Sequence, residues 1–196
     1  MSAQEWFQDA VRWRTLSTAF LAPDPGWTQR LQGLLLELAP DDRAILNCMG
    51  SFDEDQLARE HHVILGHACR VSPCESEHVG DRLGGKGAII SDVSGFYRAF
   101  AYHYASDIRE APDHIAVELS FLSFLSLKVA YAQFERRRQA VSLCTDARSK
   151  FFNDHLLVWT PRFAAALEEA APLSWYARLT RQLTQLLAQS QEHSRV

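Results

Sequence analysis

The chain predicts an all-α fold, and three observations predict it. Apolar residues recur at steps of three and four along most of its length, no alternating strand of any length is found, and Pro, Gly and N-cap residues punctuate the helical runs. At 196 residues it is long enough for one well-cored unit and cramped for two. The expectation is a single globular multi-helix bundle over residues 1–196, with N-terminal helices to about residue 70, a loop or linker over 71–90 and C-terminal helices over 91–190.

Each element follows from its own pattern. Trp6, Ala10, Trp13, Leu16 and Phe20 form the stripe of an opening helix, ended by the turn residues Ala22-Pro23-Asp24-Pro25-Gly26. Trp27, Leu31, Leu34, Leu35 and Leu38 make a second, stopped at Pro40. Ser51 and Glu54 have capping-box spacing, and Leu57, His61, Ile64 and Ala68 continue behind them. From Val71 to Gly87 periodicity disappears, which predicts a long loop. A helix restarts at Ser91 or Asp92, with Val93, Phe96, Tyr97, Phe100 and Tyr104 inward. Another runs from Asp113 through Ile115, Leu122, Leu125 and Val129 to the charged run Glu135-Arg136-Arg137-Arg138. Phe152, Leu156, Trp159, Phe163 and Leu167 form one stripe interrupted by Pro161; Thr160-Pro161 fits an N-cap and N1 pair, which leaves two short helices or one kinked helix open. After Pro172, Ser174 caps a last helix carrying Trp175, Leu179, Leu183, Leu186 and Leu187. About seven helices result.

Bulk properties exclude several functions. A net charge of −4 argues against nucleic acid as partner. The start, Met1-Ser2-Ala3-Gln4-Glu5-Trp6, has no basic segment leading into an apolar run, so a signal peptide is not expected. The longest apolar stretch, Ile115 to Ala132, is broken by Glu118, three serines and Lys128, so stable membrane insertion is not expected. Four cysteines without framework spacing fit free thiols in a reducing compartment, and a cytoplasmic protein is expected. The acids cluster at 53–55, around Glu75, Glu77 and Asp81, and around Asp107, Glu110 and Asp113. Solvated faces explain such clusters; if they converge, they favour a cationic ligand.

Catalytic constellations are weak. His61, His62, His67, Cys69, Cys74 and His78 lack the closed pairwise spacing of a zinc site. In Gly80–Gly87, no Ser or Thr follows Lys86 and no strand precedes, so a phosphate-cradling loop is not expected. No nucleophile is raised by a neighbouring base. The expectation is no enzyme, no metal and no cofactor. Arg136-Arg137-Arg138 reads as a solvated helix end set against the macrodipole.

The most informative stretch is Pro112-Asp113-His114-Ile115 leading into Glu118-Leu119-Ser120-Phe121-Leu122. Pro112 ends what precedes it and Asp113 stands where an N-cap belongs. Glu118 falls on the apolar stripe, four residues after His114, so the two can pair along one helix face. This is either a helix start with an ion pair or a binding edge, and spacing alone leaves both open.

Four segments together resemble the TorD/DmsD/NarJ family of redox-enzyme maturation chaperones. Pro73-Cys74-Glu75-Ser76 resembles its Pro-x-Glu-Ser segment; Lys86 and the helix with Tyr97 and Phe100 follow at the family's distance. Residues 112–122 resemble its Pro-Asp-His-Ile and Glu-Leu-x-Phe signature, and Phe152, His155, Leu156, Trp159 and Phe163 match its Phe-x2-His-Leu-x2-Trp-x3-Phe helix. The resemblance covers roughly Pro73 to Leu187; Glu77-His78 stands where an aromatic is common and Leu122 where methionine is.

The resemblance implies a TorD-like all-helical cytoplasmic chaperone without catalytic activity. Its partner would be the precursor of a molybdopterin oxidoreductase catalytic subunit, bound through its twin-arginine leader or its body before export. The client-binding residues implied are Pro112, Asp113, His114 and Glu118 with Pro73, Glu75 and Ser76. Asp113, Glu118 and Glu75 would supply the acidic side, with Phe121 packed beneath and His155 and Trp159 in the core. A receptor for two guanidinium groups and an apolar helix should offer carboxylates beside an apolar groove. The alternatives are a NarJ-like assembly factor for a non-exported enzyme and, from another class, a metal- or nucleotide-binding helical enzyme. A monomer and a dimer swapped through the Val71–Gly87 loop both remain open.

Overall fold

A computed structural model of the chain describes residues 1–46, 53–66, 69–79, 84–104 and 110–193. Among these the architecture is helical, with no strand beyond one isolated bridge. The elements are α1 (Ala3–Phe20), α2 (Trp27–Glu37), α3 (Pro40–Leu46), α4 (Glu54–Ile64), α5 (Glu75–Val79), α6 (Lys86–Ala99), α7 (Ile115–Phe134), α8 (Arg138–Phe151), a π-turn (Phe152–Leu156), α9 (Leu157–Ala170) and α10 (Trp175–His193).

The centre is α7. It is long and apolar enough to cross a membrane, but 78% of its apolar window is buried inside the fold, so it reads as the core helix. It packs mainly against α1 and α8. The serines that break its apolar run form a polar seam at intervals of three. The Ser120 hydroxyl accepts from Arg14 (2.8 Å), Ser123 donates to the Ala10 carbonyl (2.7 Å) and Ser126 donates to Asp9 (2.6 Å). Ser17 of α1 donates in turn to the Ala116 carbonyl at 2.7 Å. Small side chains let the two helices approach, and hydrogen bonds to the opposite helix remove the cost of burying hydroxyls.

Asp9 is the hub of that seam. It accepts from Trp13 Nε1 (2.9 Å) and from Arg148 (2.7 Å), which reaches over from α8 and also donates to Ser126 (2.8 Å). One apolar core then runs from Val11 to Leu187, with Trp13, Trp27, Phe121, Trp159 and Tyr176 fully buried.

Several local expectations change. Three helices lie where none was expected: α3 opens at Pro40, α5 sits inside the expected 71–87 loop, and α8 fills 138–151. The apolar stripe of α8 is thin because its buried positions include Cys144 and Arg148. Helix α6 starts at Lys86, five residues before Ser91, with Gly85 ahead of it at φ +95°. The cap of α4 is Asp53, which accepts from the Asp55 and Gln56 amides; Ser51 lies outside the described residues. Of the two arrangements open at Thr160-Pro161, the structure has the single helix: α9 passes through Pro161, and the Thr160 hydroxyl donates back to Leu156 (2.7 Å). Ser174 caps α10, accepting from Ala177 at 3.0 Å.

Candidate functional site

The two motif segments meet through the backbone. Cys74 and His114 form the isolated antiparallel bridge, with the Glu75 amide donating to the Asp113 carbonyl (2.9 Å) and the Ile115 amide to the Pro73 carbonyl (2.8 Å). This clamp holds both strands extended up to the start of a helix. Asp113 therefore does not cap its own helix. Its carboxylate accepts from the Ser76 amide (2.9 Å) and caps α5 across the clamp. The cap of α7 is His114, whose Nδ1 accepts from the Ala116 amide at 3.1 Å.

An acceptor Nδ1 makes His114 the neutral Nε2–H tautomer. Burial, with His61 nearby, lowers its pKa to about 3. The expected His114–Glu118 pair does not form: His114 Nε2 lies 3.6 Å from Glu110, while Glu118 accepts from Trp159 Nε1 at 3.0 Å. Glu118 points inward, away from the helix surface that such a pair needs.

The acids at the centre are sealed. Asp113, Glu118 and Glu75 are 0% exposed, and His114 and Ser76 nearly so. Pro73 is buried and Pro112 half-buried, its carbonyl accepting from Tyr97 Oη at 2.8 Å. The expectation that the cap residues form an exposed edge is corrected here, because the clamp turns their side chains into the core.

Two of these carboxyls touch. Glu75 and Glu118 lie within hydrogen-bonding reach, and burial, then the negative Glu75, holds Glu118 well above the usual carboxylate range. With its proton, Glu118 can donate to Glu75, and that one proton also relieves the repulsion between them. One oxygen of Glu75 meets His155 Nδ1 at 2.9 Å, and His155 Nε2 lies 3.4 Å from Asp92 at the surface. A polar line thus runs Trp159, Glu118, Glu75, His155, Asp92, from the core to solvent. His155 sits in the π-turn, whose extra residue aims it at α5 and α6.

That line opens into a cleft of about 490 Å³ between α5, α6 and the π-turn with α9, lined by Glu75, Ile89, Asp92, Asp154, His155 and Val158. Its rim is acidic and its walls partly apolar. Of the residues expected at the site, only Glu75 lines it. Asp92, Asp154 and His155 were missed as site residues. His155, four residues ahead of Trp159, was the available signal, but its place on the packing stripe assigns it to the core.

Other candidate groups fall away. His61 is buried near the Phe20 carbonyl, and His78 meets the Ser72 carbonyl and stacks on Trp159. Among the described residues no three His, Cys, Asp or Glu side chains converge to hold a metal; His67 and Gly80–Leu83 lie outside them. The Cys74 thiol is pushed up to about 12, first by burial and then by Asp113, which removes it as a nucleophile.

The family model described as nitrate reductase delta subunit matches residues 29–165, which include the clamp, the buried acids and the cleft. The chain belongs to the nitrate reductase delta subunit family. Within that family's wider set of relatives, it is 37% identical over 84 residues to the chlorate reductase assembly chaperone protein of Ideonella dechloratans. It is 36% identical over 84 residues to the selenate reductase assembly chaperone protein of Thauera selenatis, and 33% over 75 to the chaperone protein TorD of Vibrio cholerae. The matched stretches cover 43%, 43% and 38% of this chain, and span 42%, 42% and 33% of those relatives. The crystal structure of a candidate redox enzyme maturation protein from Archaeoglobus fulgidus shares the fold with a TM-score of 0.58, covering 92% of this chain and 93% of that one at 20% identity. The TorD-like all-α architecture of this family member is thereby shown.

Proposed function

We propose that this family member is a dedicated assembly chaperone, without catalytic activity, for the precursor of a molybdopterin-containing oxidoreductase. It would hold the precursor while cofactor is inserted, before export. Membership of a family whose relatives are named as assembly chaperones of reductases supports this reading. So does the centre of the site: Glu75, Asp113, Glu118, His114 and His155 are buried and hydrogen-bonded, which suits holding a shape and not turning over a substrate. We further take the chain to work as one unit, since one large apolar core joins its first and last helices, and to act in the cytoplasm, where a precursor would be held before export.

The observation that carries the binding mode is the acidic cleft. Asp92 and Asp154 stand at its mouth over Ile89 and Val158, with Glu75 and His155 behind. A twin-arginine leader offers two guanidinium groups and then an apolar helix, and both find complements there. In this reading Asp92 and Asp154 face the client, buried Glu75 braces His155 from behind, and Pro73, Ser76, Pro112, Asp113, His114 and Glu118 hold the clamp that positions them. The test is calorimetric titration with a leader peptide containing paired arginines and, separately, paired glutamines. Charge reversal Asp92→Lys, at a residue mostly exposed to solvent, should weaken the arginine peptide by about tenfold or more with helical circular dichroism unchanged. Equal affinity for both peptides, or for wild type and Asp92→Lys, would remove the cleft from client binding.

A further inference from the structure

The far end of the α7–α8 hairpin carries a second surface, remote in sequence from the clamp and the cleft. Leu127, Tyr131 and Phe134 follow one another at steps of four and three on α7 and are 47%, 58% and 76% exposed. Large apolar side chains this open, in one stripe, need an explanation. The stripe runs directly into Arg136, Arg137 and Arg138, all exposed, with Lys128 alongside over the Phe124 ring. Arg136 turns the hairpin at φ +57°, and residues 134–139 around that turn are all exposed. Glu135 is the one acid in the run and lies 3.9 Å from Arg137; among the described residues Arg136 and Arg138 have no carboxylate partner. In a chain of net charge −4, four cations around three apolar side chains at one tip are a segregated feature.

We propose that this tip docks reversibly on an anionic membrane surface, Phe134 and Tyr131 entering the headgroup region while Arg136, Arg137, Arg138 and Lys128 meet lipid phosphates. Charge complementarity selects the occupant. An isologous dimer through the same patch would bring two arginine clusters together at its axis. A stable protein partner needs about 1,000 Å² of complementary surface, and three partly exposed apolar side chains on one helix offer far less. A bilayer asks only for shallow aromatic insertion and local positive charge. The tip does not line the cleft, so the proposal does not rest on the client reading.

The test is co-flotation of the full chain with phosphatidylcholine vesicles and with equimolar phosphatidylcholine–phosphatidylglycerol vesicles, at low and high salt. The expected result is binding to the anionic vesicles alone, weakened by salt. Replacing all three arginines by Gln should lower partitioning by about fivefold per charge. Phe134→Ser should lower it by about tenfold. Because these side chains are exposed, unchanged circular dichroism and melting would show that the variants fold. No flotation of the wild type, equal binding to both vesicle types, or unaltered binding by both variants would overturn the proposal. So would a concentration-dependent dimer abolished by Phe134→Ser without vesicle binding, which would reassign the patch to self-association.

Discussion

Glu118 is a carboxyl held in a fully buried site by Trp159 on one side and a second carboxyl, Glu75, on the other. If it carries the proton of the pair, Gln should replace it almost without loss. The Gln carbonyl can accept from Trp159 Nε1 and its amide can donate to Glu75, as the protonated acid does. Ala cannot do either. Glu118→Ala leaves the buried indole N–H without an acceptor, which costs about 1–3 kcal/mol. The emptied stem adds about 1–2 kcal/mol, for a total of about 2–5 kcal/mol. For a chain of this length that is a fall in melting temperature of about 5–20 °C below pH 4.5, against a change within about 1 kcal/mol for Glu118→Gln at the same pH.

The pH dependence has a defined sign. A folded-state pKa raised above 4.5 means that the native protein keeps a proton which the unfolded chain releases. The stability this group contributes is full below 4.5 and is lost as pH rises toward the folded value, by at most about 1.4 kcal/mol per unit. Gln has no such loss, so the stability of Glu118→Gln relative to wild type should be flat below pH 4.5 and rise above it. Urea titrations of both proteins from acid to mildly alkaline pH measure this. A Gln variant as damaged as the Ala variant at neutral pH, or a difference that falls with rising pH, would refute the shared proton and make Glu118 an ionised acceptor.

Two further outcomes test the frame around the site. Asp9→Ala should cost about 3–5 kcal/mol in urea unfolding, because it leaves the buried Arg148 guanidinium and Trp13 Nε1 facing a gap, whereas Asp9→Asn should cost less because it can still accept from Trp13. Cys74, with its thiol raised to about 12, should react with iodoacetamide at mildly alkaline pH at least about 100-fold more slowly than an ordinary thiol, as followed by peptide mass spectrometry. Alkylation at the rate of a free cysteine would mean that the clamp opens.

Much of the frame was legible from periodicity. The stripes of α1, α2, α7, α9 and α10 were readable because each turns enough large apolar side chains to one side; those side chains are buried, except that Leu34 and Leu35 of α2 are half-buried. The elements that escaped were short, as α3 and α5 are, or had a polar buried face, as α8 does with Arg148. The site was half legible. Resemblance picked out both strands of the clamp, and Glu75 does reach the cleft. Asp92 and Asp154 were not identified because an acid on an exposed helix turn has the same local signature whether or not a cleft lies beside it.

The order of residues by itself determined that this chain is helical, where most helices turn their apolar faces, and which segments carry the family's signature; these depend on neighbours within a few positions. Only the tertiary structure decided that Asp113 caps α5 instead of its own helix, that Glu118 answers to Trp159 and Glu75 instead of His114, and that the serines of α7 make a seam with α1. The partners in those contacts are separated by 37, 41 and 113 positions. A carboxylate or hydroxyl takes whichever donor or acceptor packing brings within 3 Å, and no local pattern encodes that choice.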